Sequence, residues 1–101
     1  MHTIIYPKLN SVIHSPLRLA IMNILHGVKD ADFVFLKERT NSTVGNLSIQ
    51  IGKLKKEGYI QVTKQFKDNY PQTICTITPK GLEAYTDYSI AMHAYLTTHK
   101  V

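Results

Sequence analysis

The chain has 101 residues, 44% of them hydrophobic, with a formal net charge of +5, which suits a single domain around one modest core. No apolar run nears the roughly 18 residues of a membrane span, and no basic-then-apolar leader opens the chain. The one cysteine, Cys75, excludes an internal disulfide framework, and the expected setting is the cytoplasm.

Residues 1–14 carry Ile4, Ile5, Tyr6, Leu9, Val12 and Ile13, too apolar a set for a free tail. An irregular arm with a short helical turn is expected, packed on its own domain or on a second copy. Ser15-Pro16 then starts a helix, a capping hydroxyl followed by proline at the first helical position. Leu17, Ala20, Ile21, Ile24 and Leu25 recur at helical spacing, and Gly27 is the expected stop. Lys29-Asp30-Ala31-Asp32 reads as a polar linker, with Asp32 capping a short helix over about 33–39. Phe33 and Leu36 would face inward. Thr40-Asn41 makes the turn, Asn41 being suited to the left-handed conformation.

The next helix, residues 42–58, is the centre of the chain. Ser42 or Thr43 caps it, and Gly58 closes it. Val44, Leu47, Ile51 and Leu54 form one apolar stripe. The opposite face shows Gly45, Asn46, Ile49, Gly52, Lys53 and Lys56, with Gln50 on its flank and no acidic group. Those residue types match the edges of bases. Asn and Gln pair with adenine, Lys reaches guanine or phosphate, and an exposed Ile meets a thymine methyl. A glycine on that face would let another backbone come close. A short helix, a tight polar turn and this second helix make a helix-turn-helix pattern.

After Gly58 the period changes. Ile60, Val62 and Lys64 alternate with Gln61, Thr63 and Gln65, and Phe66 follows. Residues 67–72 are turn chemistry, and residues 73–77 return as a β-branched strand with Cys75 and Ile77 on one side. A hairpin with a six-residue tip is expected. Thr78-Pro79 repeats the cap-plus-proline start and launches a long helix to about Thr97. It carries two apolar lines, Leu82, Tyr85, Ser89, Met92 and Leu96, then Ala84, Tyr88, Ala91 and Tyr95. One line docks a helix on its own domain; two suggest a homodimer formed by this helix, joined by the arm. The expected dimer contacts are Ile4, Tyr6, Leu9, Tyr85, Tyr88, Met92, Tyr95 and Leu96.

The organisation is thus one domain over 1–101: an arm (1–14), a core (15–77) and a final helix (78–101). The fold class is mainly α with a small β-hairpin, α+β. Charge follows the same plan. Residues 53–67 carry five lysines (Lys53, Lys55, Lys56, Lys64 and Lys67) against Glu57 alone, a stripe that suits a polyanion.

Three helices, a hairpin and a long helix, with Leu-Lys-Lys-Glu-Gly-Tyr-Ile leading out of the third, resemble the winged-helix regulators of the MarR and ArsR type. The chain is more closely similar to a small family of archaeal and bacterial winged-helix DNA-binding proteins. The matching residues are 12–21 (Val-Ile-His-Ser-Pro-Leu-Arg-Leu-Ala-Ile), Gly45-Asn46-Leu47-Ser48, residues 53–60 and Thr78-Pro79-Lys80-Gly81. The resemblance implies a dimeric transcription regulator that places its third helix in the major groove and its wing near the minor groove or backbone. Two departures stand out. Ile49-Gln50 occupy a place where the family often carries a histidine or basic residue, and Gly52 replaces a larger one. The arsenic-repressor branch needs a cysteine-rich helix, which Cys75 alone does not make.

On this basis Asn46, Gln50 and Lys53 are the expected base readers, with Gly45, Ile49 and Lys56 on the same face. Ser42, Thr43 and Ser48 are caps or phosphate contacts. Lys64 and Lys67 meet phosphate or the minor groove, and Tyr70 stacks or hydrogen-bonds at the tip. Arg18 holds an ion pair or touches phosphate. The histidines at 2, 14, 26, 93 and 99 show no metal-ligand spacing, and no catalytic set or cofactor loop is indicated. The expected function is sequence-specific binding of double-stranded DNA as a homodimeric regulator, a repressor. The alternative is a winged-helix protein-interaction module without a DNA ligand. An effector pocket lined by Tyr85, Tyr88 and Tyr95 is compatible with the first.

Overall fold

The computed structural model describes residues 5–97. Helix α1 (Pro16–Val28) leads to strand β1 (Asp30–Asp32), then helices α2 (Phe33–Thr40) and α3 (Val44–Lys56). Strands β2 (Ile60–Lys67) and β3 (Tyr70–Ile77) follow, and helix α4 (Pro79–Leu96) ends the order. The sheet is antiparallel in the order β1-β3-β2. None of the described helices is long and apolar enough to cross a membrane.

Helix α1 is the centre of the core because α2, α3, α4 and β3 all pack on it. Ile21, Met22 and Leu25 are fully buried as a result; Met22 lies off the expected apolar line and is covered by this wrapping from several sides. Gly27 does not stop the helix. The helix runs on to Val28, and Lys29, at φ 74, turns the chain while its N–H bonds the Leu25 carbonyl.

The expected polar linker is a strand. Asp30, Ala31 and Asp32 pair with Thr76, Cys75 and Ile74, and the N–H of Ile77 donates to the Lys29 carbonyl. Three residues are too few to show an alternation, and the open edge of β3 supplies the partners that make them a strand. Asp32 then caps α2, its Oδ1 accepting from the Phe35 N–H at 2.7 Å. Leu36 is buried, Phe33 is half-buried, and Asn41 takes the left-handed conformation at φ 50.

Thr43, and not Ser42, caps α3, accepting from the Asn46 N–H. Leu47, Ile51 and Leu54 enter the core, but Val44 stays 55% exposed. In the first turn it stands about 60° around the helix from Leu47, towards the edge of the buried stripe. Gly58, at φ 84, closes the corner into β2.

The hairpin is tighter than the expected six-residue tip. Pairing runs from Ile60↔Ile77 out to Lys67↔Tyr70, leaving only Asp68 and Asn69 at the turn, both with positive φ. That pair of conformations is the type I′ signature, which matches the natural twist of two strands and extends the ladder to the tip.

At the start of α4 the Thr78 hydroxyl accepts from the Gly81 N–H and donates to the Gly58 carbonyl, which locks the helix to the α3–β2 corner. The arm folds back on its own chain. Asn10 Oδ1 accepts from the N–H groups of Val12 and Ile13, its Nδ2 donates to the Tyr59 hydroxyl, and Ile13 is fully buried. Tyr6 stacks on Tyr95 with centroids 5.0 Å apart, and the Tyr95 hydroxyl donates to the Pro7 carbonyl.

Candidate nucleic-acid interface

Two surfaces lie beside each other in the chain: the outer face of α3 and the outer half of the β2–β3 wing. On α3, Gly45, Asn46, Ser48, Ile49, Gly52, Lys53 and Lys56 are all exposed, as the helical period requires once Leu47, Ile51 and Leu54 point inward. Lys53, Lys55 and Lys56 form the last turn, where their charge also complements the helix dipole. From Thr63 to Pro71 every wing residue is exposed, so the tip stands clear of the core with Lys64, Lys67 and Tyr70 on it.

Not every expected site residue is free to act. Gln50 is half-buried, and both ends of its amide are engaged. Its Oε1 accepts from Arg18 Nη1 at 2.5 Å, and its Nε2 donates to Asn46 Oδ1 at 3.0 Å. The Ser42 hydroxyl is half-buried and shares a hydrogen bond with Thr40 Oγ1 at 2.8 Å, while Thr43 is spent on the cap. Arg18 is engaged within its own chain. Its guanidinium is drawn onto the arm by the carbonyls of Val12 and Ser11 and onto α3 by Gln50.

No Cβ-blocking neighbour lies within 4 Å of Gly45 or Gly52, so neither glycine is there to admit a backbone of its own chain. Phe66, 78% exposed at the wing, is a surface aromatic outside the expected site set.

The expected dimer contacts also divide. Ile4 lies outside the described residues. Tyr88 is 3% exposed, its hydroxyl 2.9 Å from His14 Nδ1, and it belongs to the core of its own chain. It therefore leaves the set of residues that can meet a second copy. Burial raises its pKa, with Tyr85 adding to the effect. Tyr85 is half-buried, its hydroxyl accepting from Asn23 Nδ2 and its ring lying against His26. Leu9 and Met92 pack on the core, and Tyr6 and Tyr95 pack on each other. Leu96 remains exposed, together with Leu82 and Ile90, which were not in the expected set.

Residues 17–96 match the winged helix DNA-binding domain family. The chain belongs to this family. The winged-helix chain is 34% identical over 77 residues to an uncharacterized protein of Methanocaldococcus jannaschii, covering 76% of this chain and 84% of that one. Its structure is similar to that of a transcriptional regulator homologue from Pyrococcus horikoshii OT3, with a TM-score of 0.79 at 28% identity over 84% of each chain. NadR, solved in complex with 4-hydroxyphenylacetate, shares the fold at 15% identity, with a TM-score of 0.72 over 86% of this chain and 61% of that one. The expectation of a winged helix-turn-helix is met, with one strand more than the hairpin alone.

Proposed function

We propose that this winged-helix protein is a homodimeric transcriptional regulator that binds double-stranded DNA in a sequence-specific way and represses by occupying its site. Helix α3 enters the major groove, and the wing grips the flanking backbone or minor groove. The observation that carries this is the exposed, acid-free outer face of α3 standing next to a projecting wing that bears Lys64 and Lys67. Asn46, Ile49 and Lys53 meet bases; Ser48, Lys56 and the wing lysines meet phosphate. Two copies reading a pseudo-palindromic site would be spaced by about 10 bp or a multiple of it. The exposed Leu82, Ile90 and Leu96 of α4 support pairing through that helix.

A mobility-shift titration at several salt concentrations tests the reading. Affinity should fall steeply as salt rises, since each neutralised phosphate releases counterions. Salt-independent binding, or none, would count against it. Light scattering on the free protein tests the dimer.

A second reading is favoured by the exposed Ile49, Phe66 and Tyr70, apolar groups on the same two elements, α3 and the wing, that carry the lysines. A winged helix that docks on another protein would use such a mixed surface. Retention on heparin followed by competition with random-sequence duplex separates the two: a DNA reader is displaced by duplex, and a protein-docking module is not.

A further inference from the structure

Three side chains on α1 and α3 form a relay that starts in the arm and ends on the outer face of α3. The Arg18 guanidinium is clamped by the carbonyls of Val12 and Ser11 and reaches Gln50 through Nη1. Gln50 in turn donates to Asn46, which is exposed in the first turn of α3. The direction of this relay is dictated by chemistry. A guanidinium has five N–H donors and no acceptor, so Gln50 must turn its carbonyl oxygen towards Arg18. Its NH2 then faces Asn46, and Asn46 must answer with Oδ1. The remaining atom, Asn46 Nδ2, has no hydrogen-bond partner within the described residues.

We propose that Arg18, acting through Gln50, fixes which way the Asn46 amide faces, so that this residue leads into the major groove with its free Nδ2 donor. The proposal rests on the DNA-binding reading above and deepens it. An asparagine free to turn pairs with adenine through both of its ends, accepting from N6 and donating to N7. With Oδ1 bonded to Gln50 the amide can no longer turn over, and only the second lone pair of that oxygen is left to accept. The free donor selects acceptor edges, guanine O6 and N7, thymine O4 or adenine N7, and disfavours cytosine, whose N4 only donates. Gln50 is then a relay and not a base reader, and Arg18 is a positioning residue that never touches DNA.

The test is selection of bound sequences from a random duplex library by the purified full chain, its N46A variant, R18M and Q50E. The base pair read by Asn46 is the one whose preference N46A erases, and in the wild type it should present a base with an acceptor edge, not cytosine, to α3. Arg18→Met frees the Gln50 amide to turn, so discrimination at that one base pair should weaken by roughly tenfold or more while the other positions and the salt slope stay unchanged. Gln50→Glu keeps a partner for Arg18 but removes the donor, so Asn46 must turn its NH2 inward and present Oδ1. Preference at the same base pair should then move to a donor edge, cytosine N4 or adenine N6.

The inference is overturned if cytosine stands there in the wild type, if N46A erases no position, or if R18M and Q50E both keep the wild-type preference. Should R18M fail to fold, Q50E alone decides, because its substitution lies on the α3 surface and leaves the arm's contacts with Arg18 in place. Binding to duplex without any selected sequence would overturn the polarity proposal while leaving the DNA-binding reading intact. Absence of duplex binding would overturn both.

Discussion

Gly81 lies so close to Tyr59 that a Cβ added to it would sit 2.1 Å from the Tyr59 carbonyl oxygen. The same carbonyl accepts from the Thr78 N–H at 3.0 Å, so the first turn of α4 is pressed against the corner that joins α3 to the wing. That contact fixes the start of α4 against this corner.

Gly81→Ala should therefore destabilise the protein by about 3 kcal/mol or more, since backbone and not a flexible side chain meets the new methyl. Gly27→Ala is the control. It lies in α1 with nothing within 4 Å of its Cβ position, and it should stabilise by about 0.5–1 kcal/mol. Urea unfolding of both variants checks the pair; equal midpoints would contradict the close contact.

Gly52 separates folding from binding. Its Cβ position is open, so Gly52→Ala should fold at least as well as the wild type. On the proposed reading its bare backbone faces the duplex, and Gly52→Leu should lower DNA affinity at least tenfold with the melting temperature little changed. A binding titration paired with thermal melting measures both, and unchanged affinity for the leucine variant would remove this position from the interface.

The wing lysines should act as phosphate contacts rather than base readers. Lys64→Ala and Lys67→Ala each remove a charge from an exposed strand, where they contribute little to folding. Each should weaken binding about equally across sequences and make the slope of log K against log salt shallower by about 0.9. A slope that does not change in either variant would place the wing away from the backbone.

Cys75 ties stability to alkaline pH. It is fully buried, paired through β1 to Ala31, and desolvation raises its pKa from 9.0 to about 11. Between those values the unfolded chain gives up the thiol proton and the folded one keeps it, so stability falls as pH rises. The contribution is fully present below pH 9 and lost up to about 11, amounting to roughly 2–3 kcal/mol. Cys75→Val should flatten the pH dependence of unfolding in that window, and in the folded wild type the thiol should react with a thiol reagent only slowly.

The chain by itself determined where its helices start and which faces they bury. Asp32, Thr43 and Thr78-Pro79 mark helix starts because a cap is made within one turn, between residues that are neighbours in sequence, whereas the Ser15 hydroxyl makes no cap bond and Pro16 alone marks the start of α1. The acid-free face of α3 was legible for the same reason, since helical period alone brings Asn46, Ile49, Lys53 and Lys56 to one side. Tertiary structure decided everything that depends on which distant element covers a face. It made a strand of Asp30–Asp32 by offering the edge of β3, sent Tyr88 into the core beside His14, and left Phe66 outside it. It also joined Arg18 to Gln50 across 32 positions. Spacing can show that a side chain points inward, but the partner waiting there comes from another part of the chain, and only packing brings the two together.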